Sequence, residues 1–127
     1  MQRYRLGLCA LGFAGALLAS TAALAGYRHT LEVGIDDVGR VAWGDLGYVF
    51  NTSDRTQYMG CYNSGTSGTC YARDRTGLTR TCSTSNAGML AVIRSLSGDS
   101  YLLFYWDASG NCTSVDVHNG SNTAPKT

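Results

Sequence analysis

Proline occurs once in this chain, at Pro125, lysine once, at Lys126, and histidine twice, at His29 and His118. Charged residues make up only 15% of the total, and the formal net charge is +1. Clustered Lys and Arg draw a protein to nucleic acid or anionic lipid, through counterion release and steering. Their scarcity argues against that class, and no nucleic-acid partner is expected. The chain also lacks a Gly-x-Ser-x-Gly elbow and a phosphate-cradling glycine loop, the markers of acyl transfer and nucleotide binding. No cofactor is implied. Cysteines are absent from the two-to-four-residue spacing that zinc requires, so no metal is expected.

Long apolar runs are missing except near the start. Arg3 and Arg5 precede an almost wholly apolar stretch from Leu6 to Leu18, and Ala23-Leu24-Ala25 supplies small residues at the positions a signal peptidase reads. That run is shorter than the roughly 20 residues of a spanning helix. It reads as a signal peptide over residues 1–25, with no membrane span. Cleavage after Ala25 leaves 102 of the 127 residues, with eight basic against nine acidic side chains. This length suits one domain with a modest core. The expected layout is an N-terminal extension at 26–38, a disulfide-stabilised β domain at 39–118 and a flexible tail at 119–127. The mature protein is expected to be secreted or periplasmic.

Cys9 leaves with the leader, so Cys61, Cys70, Cys82 and Cys112 remain. An even number in a short exported chain reads as two disulfides. Three pairings exist, and the short spacing within one hairpin favours Cys61 with Cys70, leaving Cys82 with Cys112. Each bridge contributes about 2–4 kcal/mol by restricting the unfolded chain.

Sixteen glycines and many Ser, Thr, Asn and Tyr residues describe short strands joined by turns. The fold class is mainly β, or α+β: a small antiparallel sheet or sandwich with one amphipathic helix. Strands are expected over 39–50 with a bulge at Gly44, then 57–62, 69–73, 78–83, 100–106 and 112–118. Asn63 to Gly68 reads as a mobile loop. Met89, Ile93 and Leu96 recur at helical spacing, with Ser85 as cap and Gly98 beyond the end. The uncharged run Ser100 to Trp106 is expected to be a central strand covered on both faces. Asp107 to Asn111 closes a hairpin in which Gly110 takes a positive φ. Thr113, Val115 and Val117 are then expected on one face, with Cys112, Ser114 and Asp116 on the other.

Aromatic residues are the richest functional signal. Tyr62 and Tyr71 flank the glycine-rich loop and are expected on a partner-facing surface, although tyrosine also suits half-buried strand faces. Arg73 and Arg75, on either side of Asp74, could clasp a carboxylate by bidentate contacts, or act as solvated charges that protect an edge strand. The expected activity is therefore a non-catalytic binding module for a protein or glycan ligand, with an inhibitor as a special case.

The competing class is a small secreted hydrolase. A pair of imidazoles, here His29 and His118, could serve as the acid and base of RNA cleavage, and Val115-Asp116-Val117-His118 resembles the end of pancreatic-type ribonucleases. That family's lysine has no counterpart here, and its cysteine framework is larger. The carboxylates offer no pair at a spacing that a glycosidase needs. A broader likeness runs through Tyr58-Met59-Gly60-Cys61, Cys70-Tyr71-Ala72-Arg73-Asp74, Cys82-Ser83-Thr84, the stretch from Ser100 to Gly110 with Asn111-Cys112-Thr113, and Thr123-Ala124-Pro125-Lys126, most specifically from Tyr101 to Gly110. In these segments the chain resembles a group of small exported proteins of proteobacteria. The resemblance implies export and fold type and leaves activity open.

Overall fold

A computed structural model describes residues 26–123 and 125–127; the expected leader at 1–25, with Cys9, lies outside the described residues. In chain order the elements are β1 (Gly34–Asp36), β2 (Val41–Asp45), α1 (Leu46–Asn51), β3 (Tyr58–Asn63), β4 (Gly68–Arg73), β5 (Thr79–Thr84), α2 (Ala87–Arg94), β6 (Tyr101–Trp106) and β7 (Cys112–His118). They build two antiparallel sheets, one ordered β1-β2-β6-β7 and the other β3-β4-β5. The protein is mainly β, with two disulfides, Cys61–Cys70 and Cys82–Cys112, paired as the spacing suggested. No helix among the described residues is long and apolar enough to cross a membrane.

Strand alternation divides each sheet into an inner and an outer face. On β4, Gly68, Cys70 and Ala72 are buried, while Thr69, Tyr71 and Arg73 are not. On β6, Leu102 and Phe104 have no exposed surface. These inner faces share one core with Val33, Ala42, Met59, Cys82, Val115, Val49 of α1 and Ile93 of α2. β6 is interior, flanked by β2 and β7, but only one of its faces is closed: Tyr105, on the other, is 38% exposed.

Four local expectations are corrected. First, the strand over 39–50 ends at Asp45, and Gly44 pairs with Leu102 in unbroken register rather than bulging. Leu46-Gly47-Tyr48-Val49-Phe50-Asn51 turns into α1 instead, burying Gly47 and Val49, with the Leu46 N–H donating to Ser100 O at 3.0 Å. Packing overrides the β preference of Tyr, Val and Phe in this short segment. Second, the bulge lies on β7. Tyr105 faces Ser114 and Trp106 faces Cys112, so Thr113 is the extra residue. The bulge turns Cys112 to the side of Val115 and Val117, which brings its sulfur into the core. Gly110 in the preceding hairpin has the expected positive φ, 81°.

Third, α2 is capped by Asn86, whose side chain accepts from the Met89 N–H at 3.1 Å, rather than by Ser85. Fourth, both ends of the described residues are tied to the fold. β1 lies within the expected extension and pairs with β2, and Val33 joins the core. In the tail, the Lys126 N–H donates to Asp99 Oδ1 at 2.6 Å and Asn51 Nδ2 donates to Pro125 O at 2.8 Å. The loop after β3 is held at its neck by a bond from the Ser64 N–H to Ser67 O at 2.9 Å.

Two stability predictions follow from this packing. Phe104→Ala empties the centre of the core and is expected to cost about 3–5 kcal/mol in urea unfolding. The two bridges span sequence separations of 9 and 30 residues. The chain-entropy model then makes loss of Cys82–Cys112 about 1 kcal/mol more costly than loss of Cys61–Cys70. Paired Cys→Ala variants compared at one temperature measure that difference.

Candidate functional site

Three places gather side chains able to do chemistry or binding. The first is the outer face of β3-β4-β5. Strand register sets three rows across it: Tyr58 beside Arg73 and Thr79, Gly60 beside Tyr71 and Thr81, Tyr62 beside Thr69 and Ser83. Tyr58 is 44% and Tyr62 59% exposed. The Tyr71 ring lies between them, 5.9 Å from Tyr58 and 6.5 Å from Tyr62 by ring centroids, within the range of interacting aromatic pairs. Residue 60 must be glycine for this arrangement, because a Cβ there would stand 2.7 Å from the Tyr71 hydroxyl. Tyr71 can therefore lie across the sheet, and the three rings form a contiguous aromatic shelf in which Tyr58 is inclined to Tyr71 by 58° and Tyr62 by 35°. Thr69 and Ser83 hydroxyls meet at 3.0 Å along its edge.

Of the residues predicted to bind, Tyr62, Tyr71 and Arg73 share this face. Arg73 Nε is buried without a partner. Arg75 does not join them. Its guanidinium pairs with Glu32 and stands 3.7 Å from Asp54, which turns it toward the N-terminal segment. Tyr58 is the member that sequence reading left out. Its place two residues before Gly60 and four before Tyr62, on one strand, is the period-two signal that marks it.

The second place is centred on Tyr101. His118, directly across in the register, has its ring 5.4 Å away, and His29 lies 6.5 Å from the same ring. Residues at opposite ends of the described chain thus meet on one phenol. The His29 N–H donates to Asn122 O at 2.6 Å, which holds the segment in place. The surroundings are acidic. Burial first, and then the charges of Asp45 and Asp116 with Tyr105, push the Tyr101 phenol above its ordinary value. Asp45 is fully buried: Oδ2 accepts from the Leu31 N–H at 3.0 Å, while Oδ1 has no partner. Among the described residues no three His, Cys, Asp or Glu side chains converge as metal ligands.

The third place is a cavity of about 300 Å³ between α1 and β3. Leu46, Val49 and Met59 supply apolar wall, and Asp54, Gln57 and Tyr58 add polar groups to the lining. At the rim, Lys126 Nζ sits 4.1 Å over the exposed Phe50 ring. Gln57 is only 6% exposed. Its Oε1 accepts from the Val33 N–H at 3.0 Å, which fixes the amide orientation and leaves Nε2 buried without a partner. No signal in the sequence announced this cavity, because it exists only where α1 replaces the expected strand.

No protein-family profile, curated protein or solved structure matches this chain.

Asp54, Asp74 and Asp107 each gather backbone and side-chain donors in a tight turn. The Thr56 N–H for Asp54, the Thr76 hydroxyl for Asp74 and the Asn111 side-chain amide for Asp107 are the leading causes that lower these carboxyls below their ordinary range. A carboxyl depressed in the folded state stabilises it above the unfolded value, near 3.9, and loses that effect as pH falls through the folded value. Melting temperature is therefore expected to be level above about pH 5 and to fall below about pH 4. Asp74→Asn should flatten the acid limb of that profile when measured by circular dichroism.

Proposed function

We propose that this protein is a small exported, non-catalytic module that binds a glycan on the outer face of β3-β4-β5. The observation that carries the proposal is the composition of that face. Its outward positions hold three tyrosine rings, one arginine and a block of Thr and Ser hydroxyls, with no aliphatic side chain among them. Protein hot spots use the same Tyr and Arg side chains, but as anchors buried in a pocket on the partner and with Ser and Thr under-represented around them. A hydroxylated face with flat rings instead suits sugar rings, whose C–H edges meet the electron-rich aromatic faces while their hydroxyls exchange hydrogen bonds with Thr, Ser and Arg. Two disulfides support export, since such bridges persist in oxidising compartments.

Isothermal titration with soluble oligosaccharides tests this reading. Tyr71→Ala is expected to weaken binding about tenfold, the loss of one stacking contact of about 1.4 kcal/mol. Equal affinity of the variant and the native protein would remove the shelf from consideration.

A second reading, a small hydrolase of ribonuclease type, is favoured only by the shared packing of His29 and His118 on Tyr101. The acidic surroundings oppose a phosphodiester substrate. On the binding reading, the purified oxidised protein shows no RNA cleavage that the double variant His29→Ala, His118→Ala abolishes.

A further inference from the structure

The cavity between α1 and β3 adjoins the tyrosine shelf, because Tyr58 belongs to both. Its volume, about 300 Å³, is at the small end for ligand pockets, room for one substituent or one small ring rather than an extended chain. Three chemical features define what fits. The wall of Leu46, Val49 and Met59 accepts a small apolar group. Gln57 Nε2, held in orientation by the Val33 N–H on the same amide, is a buried donor in need of an acceptor. Asp54 accepts from the backbone N–H groups of Thr56 and Gln57 at 2.8 and 3.4 Å and keeps lone pairs for a further donor.

A ligand group that carries one methyl, one hydrogen-bond acceptor and one donor satisfies all three. A hydrocarbon tail would leave Gln57 unpartnered, a penalty that buried donors do not bear cheaply. A carboxylate has no hydrogen to donate to Asp54, and a bare hydroxyl would leave the apolar wall empty. We propose that this cavity is the subsite for the acetamido group of an N-acetylated aminosugar within the glycan that the tyrosine shelf binds. The inference rests on the glycan reading: the sugar rings lie on Tyr58 and Tyr71, and the acetamido group turns into the cavity. There its methyl packs on Val49 and Met59, its carbonyl accepts from Gln57 Nε2, and its N–H donates to Asp54.

The test compares two neutral oligomers of equal length and linkage, a chito-oligosaccharide and a cello-oligosaccharide, which differ only in the acetamido groups. Calorimetry on the intact oxidised protein is expected to show the N-acetylated oligomer bound about tenfold more tightly. In parallel, the methyl NMR signals of Leu46, Val49 and Met59 should shift with that oligomer and stay still with the other. Gln57→Glu keeps an acceptor for the Val33 N–H but replaces the donor, and is expected to erase the preference. Should that variant fail to fold, the methyl shifts of the native protein decide. Equal affinity for the two oligomers, lost in Tyr71→Ala and accompanied by silent methyls, overturns the subsite and leaves the glycan reading intact. Failure of both oligomers to bind overturns the two together.

Discussion

Covalent linkage of the two sheets is the constraint on which the rest of this structure depends. Cys82 on β5 and Cys112 at the start of β7 are joined at a Cα separation of 4.9 Å, both nearly or fully buried. Beside the bridge, the Ser83 N–H donates to Gly110 O at 3.0 Å, and Ser83 forms an isolated parallel bridge with Asn111. A cross-link between elements far apart in sequence restricts the unfolded chain and adds to what the modest core of a domain of about a hundred residues supplies. The Thr113 bulge makes the cross-link stereochemically accessible, since without it Cys112 would face solvent.

With the sheets joined, the segment around β1 acts as a strap. Glu32 and Asp37, in the segment that enters and leaves β1, pair with Arg75 in the β4–β5 turn and with Arg80 on β5. Exposed pairs of this kind contribute little individually, about 0–1 kcal/mol. They nevertheless orient the segment, and Val33 then delivers an apolar side chain to the core and its N–H to Gln57. The polarity of the cavity follows from that bond. A single backbone amide of the N-terminal segment decides which end of the Gln57 side chain is left to seek a partner.

The tyrosine shelf and the cavity have different origins in the sequence. The shelf was largely legible: tyrosines and arginine at alternate positions of two consecutive strands, with a glycine opposite Tyr71, show themselves in a period of two once the hairpin is recognised. Arg75 was misplaced because a turn residue has no alternation to fix its direction, and ion pairs with Glu32 and Asp54 settled it instead. The cavity was not legible. It needs α1, and Leu46 to Asn51 carries residues that locally favour a strand.

Local chemistry in the chain thus determined the β class, the hairpin turns at Asp74 and Asp107, the pairing of cysteines close enough to share a hairpin, and the helix over 87–94. These depend on neighbours within a few positions, where propensity, capping and alternation act directly. Tertiary structure alone decided that Leu46–Asn51 coils, that Cys112 turns inward, that His29 reaches the ring opposite His118, and that both ends of the described chain lie against the core. Each of those outcomes is set by what a residue meets across the fold, at sequence distances over which no local pattern carries information.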